Sequence, residues 1–336
     1  MNERSLEITE QGLRLGDIDE VEVLCLIDNI SDVLLTSTDV AKRPVLRRED
    51  FPTEPARLMA SGRAARVLLA EHGFSVLITV RRGDRSRSLL FDAGLSVGGL
   101  AHNLDAMQVG TKAVEAVVFS HGHSDHTVGL NGVLDRLGSR HLPLMAHPDA
   151  WLDRRLAIPG REPFEMATTR KAALAEAGFD VVEGRQPSLL LDSTLLLTGE
   201  VERTTDFEKG FPVHQARRDG EWVPDSLIMD DQAAVMNVRG KGLVIVTGCG
   251  HAGIVNIVRY AIKLTGVDRV YAVIGGFHLN GPLFEPIIPA TIEAMRAFAP
   301  AVIVPTHCTG WKAIHAFAAA MPDAFVQNSV GTRYVL

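Results

Sequence analysis

Val117-Val118-Phe119-Ser120-His121-Gly122-His123-Ser124-Asp125-His126 runs from a β-branched apolar stretch into a loop holding three histidines and an aspartate within six residues. The apolar part reads as a strand ending at Ser120, which would deliver the loop to one edge of a sheet. There the imidazole nitrogens and the carboxylate converge on a small volume. These are the donors that borderline cations such as zinc prefer, and a solvated turn gains nothing from concentrating histidine. The stretch predicts a zinc enzyme; a His/Asp donor set also accepts Mn2+ or Fe2+.

Upstream, Val21 to Asn29 reads as a first strand, and Ser75 to Val80 with Ser88 to Phe91 reads as a hairpin turning at Arg82-Gly83-Asp84. Leu100, Leu104 and Met107 have helical spacing, a strand is expected over 114–119, and Val128, Leu130, Val133, Leu134 and Leu137 predict a helix after the loop. The second half predicts strands over 189–198, 232–238, 242–247, 270–274 and 302–305, with helices over 254–264 and 287–298. No Gly/Ser-rich or Pro-rich linker divides these elements, so residues 1–336 are expected to form a single α/β domain. The segment 31–65 differs. Pro44, Pro52 and Pro55 lie among Arg43, Arg47, Arg48, Glu49 and Asp50, and it reads as an insertion lining the active site.

A metal pair needs more donors than one loop supplies. Three later apolar strands each break into a turn at a histidine: Val244 to Thr247 leads to His251, Val273-Ile274 to His278, and Ile303 to Thr306 to His307. Together they suggest a shared rim. His251 and His307 are expected as ligands beside His121, His123, Asp125 and His126, with Asp125 and His278 as the catalytic candidates. Asp92 closes a buried strand, where an unpaired carboxylate would be costly. It is expected to cap the following turn, to orient a metal-binding histidine through its second ring nitrogen, or both. His147 also ends an apolar strand and is a candidate for substrate contact. His72, His102, His141, His214 and His315 have no such setting and read as structural or exposed. Arg203 reads as part of a solvated charged loop, with contact to an anionic substrate as the alternative.

The HxHxDH pattern of His121 to His126 resembles the signature of the metallo-β-lactamase-fold superfamily at every fixed position. The resemblance implies a four-layer αβ/βα sandwich, with His121 and His123 serving one metal and Asp125 and His126 a second about 3.5–4 Å away. Glu71 to Ser75, Leu90 to Gly94, Thr247 to Ile254, Gly275 to Leu279 and Pro305 to Gly310 further resemble the subgroup labelled 7,8-dihydropterin-6-methyl-4-(β-D-ribofuranosyl)aminobenzene-5′-phosphate synthase. Two positions depart from the superfamily pattern. Where a metal-bridging aspartate is usual, Gly248-Cys249 stands; a thiolate can ligate zinc, yet a small buried cysteine is the commoner role, so His251 ranks above Cys249. Where a third-motif histidine is usual, Glu200 stands, as a carboxylate ligand or an ordinary surface residue. Weakened ligation leaves one metal or two.

Composition narrows the function. A net charge of −7 leaves no electrostatic footprint for a polynucleotide, so a small-molecule substrate is expected, without nucleic acid or membrane. Three scattered cysteines make no disulfide framework, and neither a signal-peptide core nor a 20-residue apolar run is present, which places the protein in the cytoplasm. The sequence carries no reading of oligomeric state. The first functional expectation is a hydrolase in which zinc-activated water attacks an ester, amide, lactone or phosphoester. The subgroup resemblance implies the alternative, a synthase joining an aminobenzene riboside phosphate to a dihydropterin with loss of diphosphate. A metal-sensing scaffold is the third, and the intact loop argues against it.

Overall fold

The computed structural model of the chain describes residues 14–44, 51–137 and 141–336. Two mixed sheets face each other. The first runs Phe179–Glu183, Leu142–Ala146, Val114–Val118, Arg85–Phe91, Ser75–Arg82, Glu20–Ile27, Arg333–Val335, Ala41–Lys42. The second runs Ser188–Leu190, Leu195–Leu197, Ala233–Val238, Gly242–Thr247, Val270–Gly276, Val302–Thr306, with Asp17–Ile18 paired alongside Ala233–Val238.

Alternation within the strands explains the stacking, because successive side chains point to opposite faces. Val244 and Val246 point inward with Ala272, Ile274, Val302 and Val304, meeting Val21, Val23, Ile78, Phe91 and Val118 of the other sheet in one buried core. Their neighbours Leu243, Ile245, Val273 and Ile303 point outward, against the helices Ile254–Thr265, Ile288–Phe298 and Trp311–Ala320. On the opposite side, Leu90 and Val117 pack against the helix Gly99–Ala106 and the turns of Val128–Leu137. Helix, sheet, sheet and helix make the four-layer αβ/βα sandwich, with strands such as Gly242–Thr247 apolar on both faces, as sheets covered by helices require.

Several local expectations change. The run 189–198 is two antiparallel strands, Ser188–Leu190 and Leu195–Leu197, because Leu191, Asp192 and Ser193 take left-handed backbone with φ of 51°, 56° and 63°. The helix expected over 128–137 is a 3₁₀ segment, Val128–Val133, followed by one turn, Leu134–Leu137. Gly129 and Gly132 press so close to the carbonyls of Ala93 and Val97 that an added Cβ would lie 1.9 and 1.8 Å from those oxygens. A four-stranded sheet in the order Phe164–Glu165, Arg154–Leu156, His214–Arg218, Glu221–Pro224 was not expected; its strands are short and largely polar. The segment 31–65 adds Ala41–Lys42 to the edge of the first sheet and a small hairpin, Thr53–Pro55 with Arg63–Ala65; its residues 45–50 lie outside the described residues. Among the described residues no helix is long and apolar enough to cross a membrane.

Candidate metal centre

The carboxyl ends of the parallel strands in both sheets converge at one edge of the sandwich, the usual place for sites in such sheets. Arg85–Phe91 delivers Asp92, Val114–Val118 the loop from His121 to His126, Gly242–Thr247 Cys249 and His251, Val270–Gly276 His278, and Val302–Thr306 His307. Close approach of the two sheets depends on Gly248, where a Cβ would stand 2.0 Å from Ser120 Oγ and 2.8 Å from Asp92 Oδ2. Asp92, His278 and His307 hold φ of 58°, 44° and 51°, so three site residues occupy the left-handed region that side chains rarely adopt.

The donors form two adjoining sets. Asp125, His126, Cys249 and His307 offer one ligand atom each, all within 4.8 Å of one another, and His121, His123 and His251 do the same. In the first set Cys249 Sγ lies 3.1 Å from His126 Nε2 and 3.3 Å from His307 Nε2, and Asp125 Oδ2 lies 3.3 Å from His307 Nε2. In the second, His251 Nε2 lies 3.2 Å from His123 Nδ1. Cys249 and His251 also form a third possible donor group with His278. His121 Nε2, His251 Nδ1 and His278 Nδ1 are buried with no hydrogen-bond partner, an arrangement that suits a cation and is otherwise costly.

The surroundings fix which ring nitrogens are free. Asp92 is fully buried and accepts from Ser120 N (2.7 Å), Ser120 Oγ (2.7 Å) and His126 Nδ1 (2.7 Å). Because Ser120 Oγ spends its proton on Asp92, it can only accept from His121 Nδ1 at 2.9 Å. One carboxylate therefore turns Nε2 of both His121 and His126 toward the donor sets. His307 is held by Asp28, which accepts its backbone N–H at 3.0 Å and the hydroxyl of Thr306, and by Asn29, which donates to its carbonyl at 3.0 Å. Gly122 N donates to Asp230 Oδ2 at 2.8 Å, and Asp230 is paired with the buried Arg154 at 2.6 Å.

The two sets differ in charge. Burial first, and then neighbouring histidines, push the pKa values of His121, His123 and His251 well below the ordinary value, so this set is neutral. For Asp125, His126 and His307 of the other set burial opposes ionisation but loses. Asp125 lies well below the usual carboxylate range because His126 and His307 face it. His307 is carried up to about 9 by Cys308 and Asp125, and His126 is raised by Asp125 and Asp92. Burial pushes the Cys249 thiol up.

Several other residues fall where the sequence did not put them. Cys249 is buried, and its Sγ lies among the atoms of the Asp125 set that could hold a metal ion. Glu200 is neither ligand nor free surface: its carboxylate accepts from Arg185 at 2.8 Å and lies 3.0 Å from His147 Nε2. His147 is buried, its Nδ1 accepting from Asp149 N at 3.0 Å, and it lines none of the cavities over the site. Arg203 is not a solvated side chain; it donates to the carbonyls of His251 (3.1 Å) and Leu227 (2.7 Å). His72 is exposed, as expected, and its Nε2 stands 3.7 Å from Asp125 Oδ2. His214 is fully buried with Nε2 2.8 Å from His123 Nε2; its short polar strand gave no signal of this.

A cavity of about 1130 Å³ opens beside His278 and His307, walled by Leu156, Ile158, Phe211, Phe284 and Trp311. A smaller one of about 290 Å³ lies over His123, Asp125, Cys249 and His251 and shares Leu156, Phe211 and His278 with it. None of the described residues of 31–65 lines either cavity; the walls come from the four-stranded sheet and the loops after His278 and His307.

Residues 70–262 match the family model of the Metallo-beta-lactamase superfamily. A curated protein of Methanocaldococcus jannaschii named 7,8-dihydropterin-6-methyl-4-(beta-D-ribofuranosyl)-aminobenzene-5'-phosphate synthase is 32% identical over 269 residues, 78% of this chain and 89% of its own length. An uncharacterized protein of the same organism is 31% identical over 261 residues, 77% of this chain and 91% of its own. Among solved structures, a metal-dependent hydrolase of the beta-lactamase superfamily superposes with a TM-score of 0.68 at 23% identity, covering 93% of this chain and 98% of that one.

Proposed function

This chain belongs to the metallo-β-lactamase superfamily, and we propose that it is a metal-dependent hydrolase of a small organic ester, amide, lactone or phosphoester. The observation that carries the reading is the pairing of a neutral three-histidine set with an Asp/His/Cys/His set at the floor of an apolar cavity. Zinc held by these sets, as one ion or two, would supply a Lewis acid and make water nucleophilic near neutral pH. His121, His123 and His251 would hold one position, and Asp125, His126, Cys249 and His307 the other. Asp125, kept ionised by His126 and His307, would orient the water. His278 projects its ring between Phe284 and His251, with Nδ1 unpartnered, where it can donate to or receive a proton from the reacting group. Phe211, Phe284 and Leu156 hold the organic part and exclude water.

One observation favours a second reading, a synthase like the protein named in Methanocaldococcus jannaschii. His278, Leu283 and Phe284 line both the large cavity and a further one of about 260 Å³ reaching His251, so two organic ligands can meet at His278. Metal analysis of protein purified without chelator, followed by an ester, lactone and phosphodiester screen, tests both readings. Metal with turnover of any of these supports the hydrolase. Metal with tight binding of a reduced pterin and no hydrolysis supports the synthase. A chain that takes up no zinc, manganese or iron overturns both.

A further inference from the structure

Of the three histidines in the metal loop, His121 and His126 have their free nitrogens set by Asp92, as described above. His123 is paired instead through Nε2, and its partner comes from the four-stranded sheet. His214 opens the strand His214–Arg218 and is fully buried. Its Nδ1 faces two oxygens of Asp225, the carbonyl at 3.1 Å and Oδ2 at 3.4 Å, both of which can only accept. Nδ1 of His214 therefore carries the ring proton, and in the neutral ring Nε2 is left with a lone pair. That lone pair lies 2.8 Å from His123 Nε2, so His123 must donate from Nε2 and keep its own lone pair on Nδ1. Nδ1 is the nitrogen 3.2 Å from His251 Nε2, inside the three-histidine set.

We propose that His214 is a positioning residue which, backed by Asp225, locks His123 in the tautomer that presents Nδ1 to the metal position formed with His121 and His251. The inference rests on the reading of that set as a metal position. It also ties the position to the cavity wall: Phe211 stacks on His214 at 6.2 Å and 27° and lines the cavity, so one strand end serves both.

Two measurements test it. In metal-free protein, ¹⁵N–¹H correlation of the imidazoles should show His123 as the Nε2–H tautomer and His214 as the Nδ1–H tautomer; His123 found as Nδ1–H overturns the proposal, whatever any variant does. In the second, metal affinity is read by chelator competition with zinc. His214→Phe keeps ring volume but removes the acceptor, and should weaken one zinc equivalent about 10- to 100-fold, the usual cost of losing a ligand's outer hydrogen bond, while the other is unchanged. His214→Gln, whose amide oxygen can accept, should restore most of that loss. Equal affinity in wild type and His214→Phe, or no recovery in His214→Gln against a clear loss in His214→Phe, overturns the proposal. If His214→Phe does not fold, the tautomer measurement on the wild type decides. A wild-type chain that shows the expected tautomers but binds no zinc overturns the metal reading and, with it, the positioning role.

Discussion

Cys249 Sγ lies 3.1 Å from Nε2 of His126, at the point where the turn after Gly242–Thr247 meets the metal loop. The thiol is buried and also 3.3 Å from His307 Nε2, so it faces the same volume as Asp125. A thiolate there would be a soft donor among imidazoles, and it should report its bond directly. Cobalt(II)-loaded protein is expected to show a sulfur-to-cobalt charge-transfer band in the near ultraviolet. Cys249→Ser should abolish the band and weaken one metal equivalent more than about tenfold, leaving the other in place. An unchanged spectrum in Cys249→Ser would return Cys249 to the role of a packed core residue.

The metal loop was legible because its donors sit in one contiguous stretch after a strand, and His251, His278 and His307 because apolar strands stop at them. The four layers were implied by the family resemblance, and continuous apolar runs such as Leu243 to Val246 fit strands covered on both faces. For Cys249 the sequence left both roles open, zinc ligand and packed core residue, since a lone buried cysteine looks the same in either. His214 was hidden for another reason: it lies on a five-residue polar strand whose partners come from residues 154–156 and 221–224, so no local period marks it. The single strand expected over 189–198 failed at Asp192-Ser193-Thr194, a polar interruption between two leucine triplets where left-handed backbone turns the chain back on itself.

The two donor sets predict different losses for two histidines. His307→Ala should remove metal from the position of Asp125 and His126, and His251→Ala from that of His121 and His123, each by up to one equivalent. Turnover should fall roughly 10²-fold or more, because a Lewis acid is worth several kcal/mol and each 1.36 kcal/mol is tenfold. The exposed His141→Ala and His315→Ala should remain near wild type in metal content and rate. Metal analysis and kinetics on the four variants check this; a full complement of metal with normal turnover in His251→Ala would shift its place to His278.

Metal uptake should also differ in its protons. His121, His123 and His251 are already neutral at pH 7, because burial lowers their pKa values, so filling that position should release none. His307 holds its proton up to about 9, and the Cys249 thiol is pushed up by burial, so filling the other position must displace protons. Affinity there should rise with pH through about 9 and beyond, because the Cys249 thiol gives up its proton later still, while the three-histidine position changes little above neutrality. Calorimetric titration in two buffers of different ionisation enthalpy reads the protons; equal release at both positions would contradict the charge difference between the sets.

Glu208 gives a pH test that does not involve metal. Its carboxylate caps the helix Ile254–Thr265, accepting from Val255 N and Asn256 N at 2.9 Å each. Burial nonetheless outweighs these bonds and raises its pKa above the ordinary 4.5. The folded chain thus holds this proton to higher pH than the unfolded chain does. The stability linked to Glu208 is fully present below the unfolded carboxyl pKa and declines as pH rises through the folded value. Glu208→Gln cannot ionise, so the melting temperature of wild type minus that of the variant should fall as pH rises from about 4 and level off once Glu208 is ionised in the folded state. Thermal melts in metal-free buffer from acid to neutral pH measure this difference. A wild type that instead gains on the variant with rising pH would mean that the two backbone N–H donors and the helix dipole outweigh burial, and that Glu208 caps as a fully ionised carboxylate.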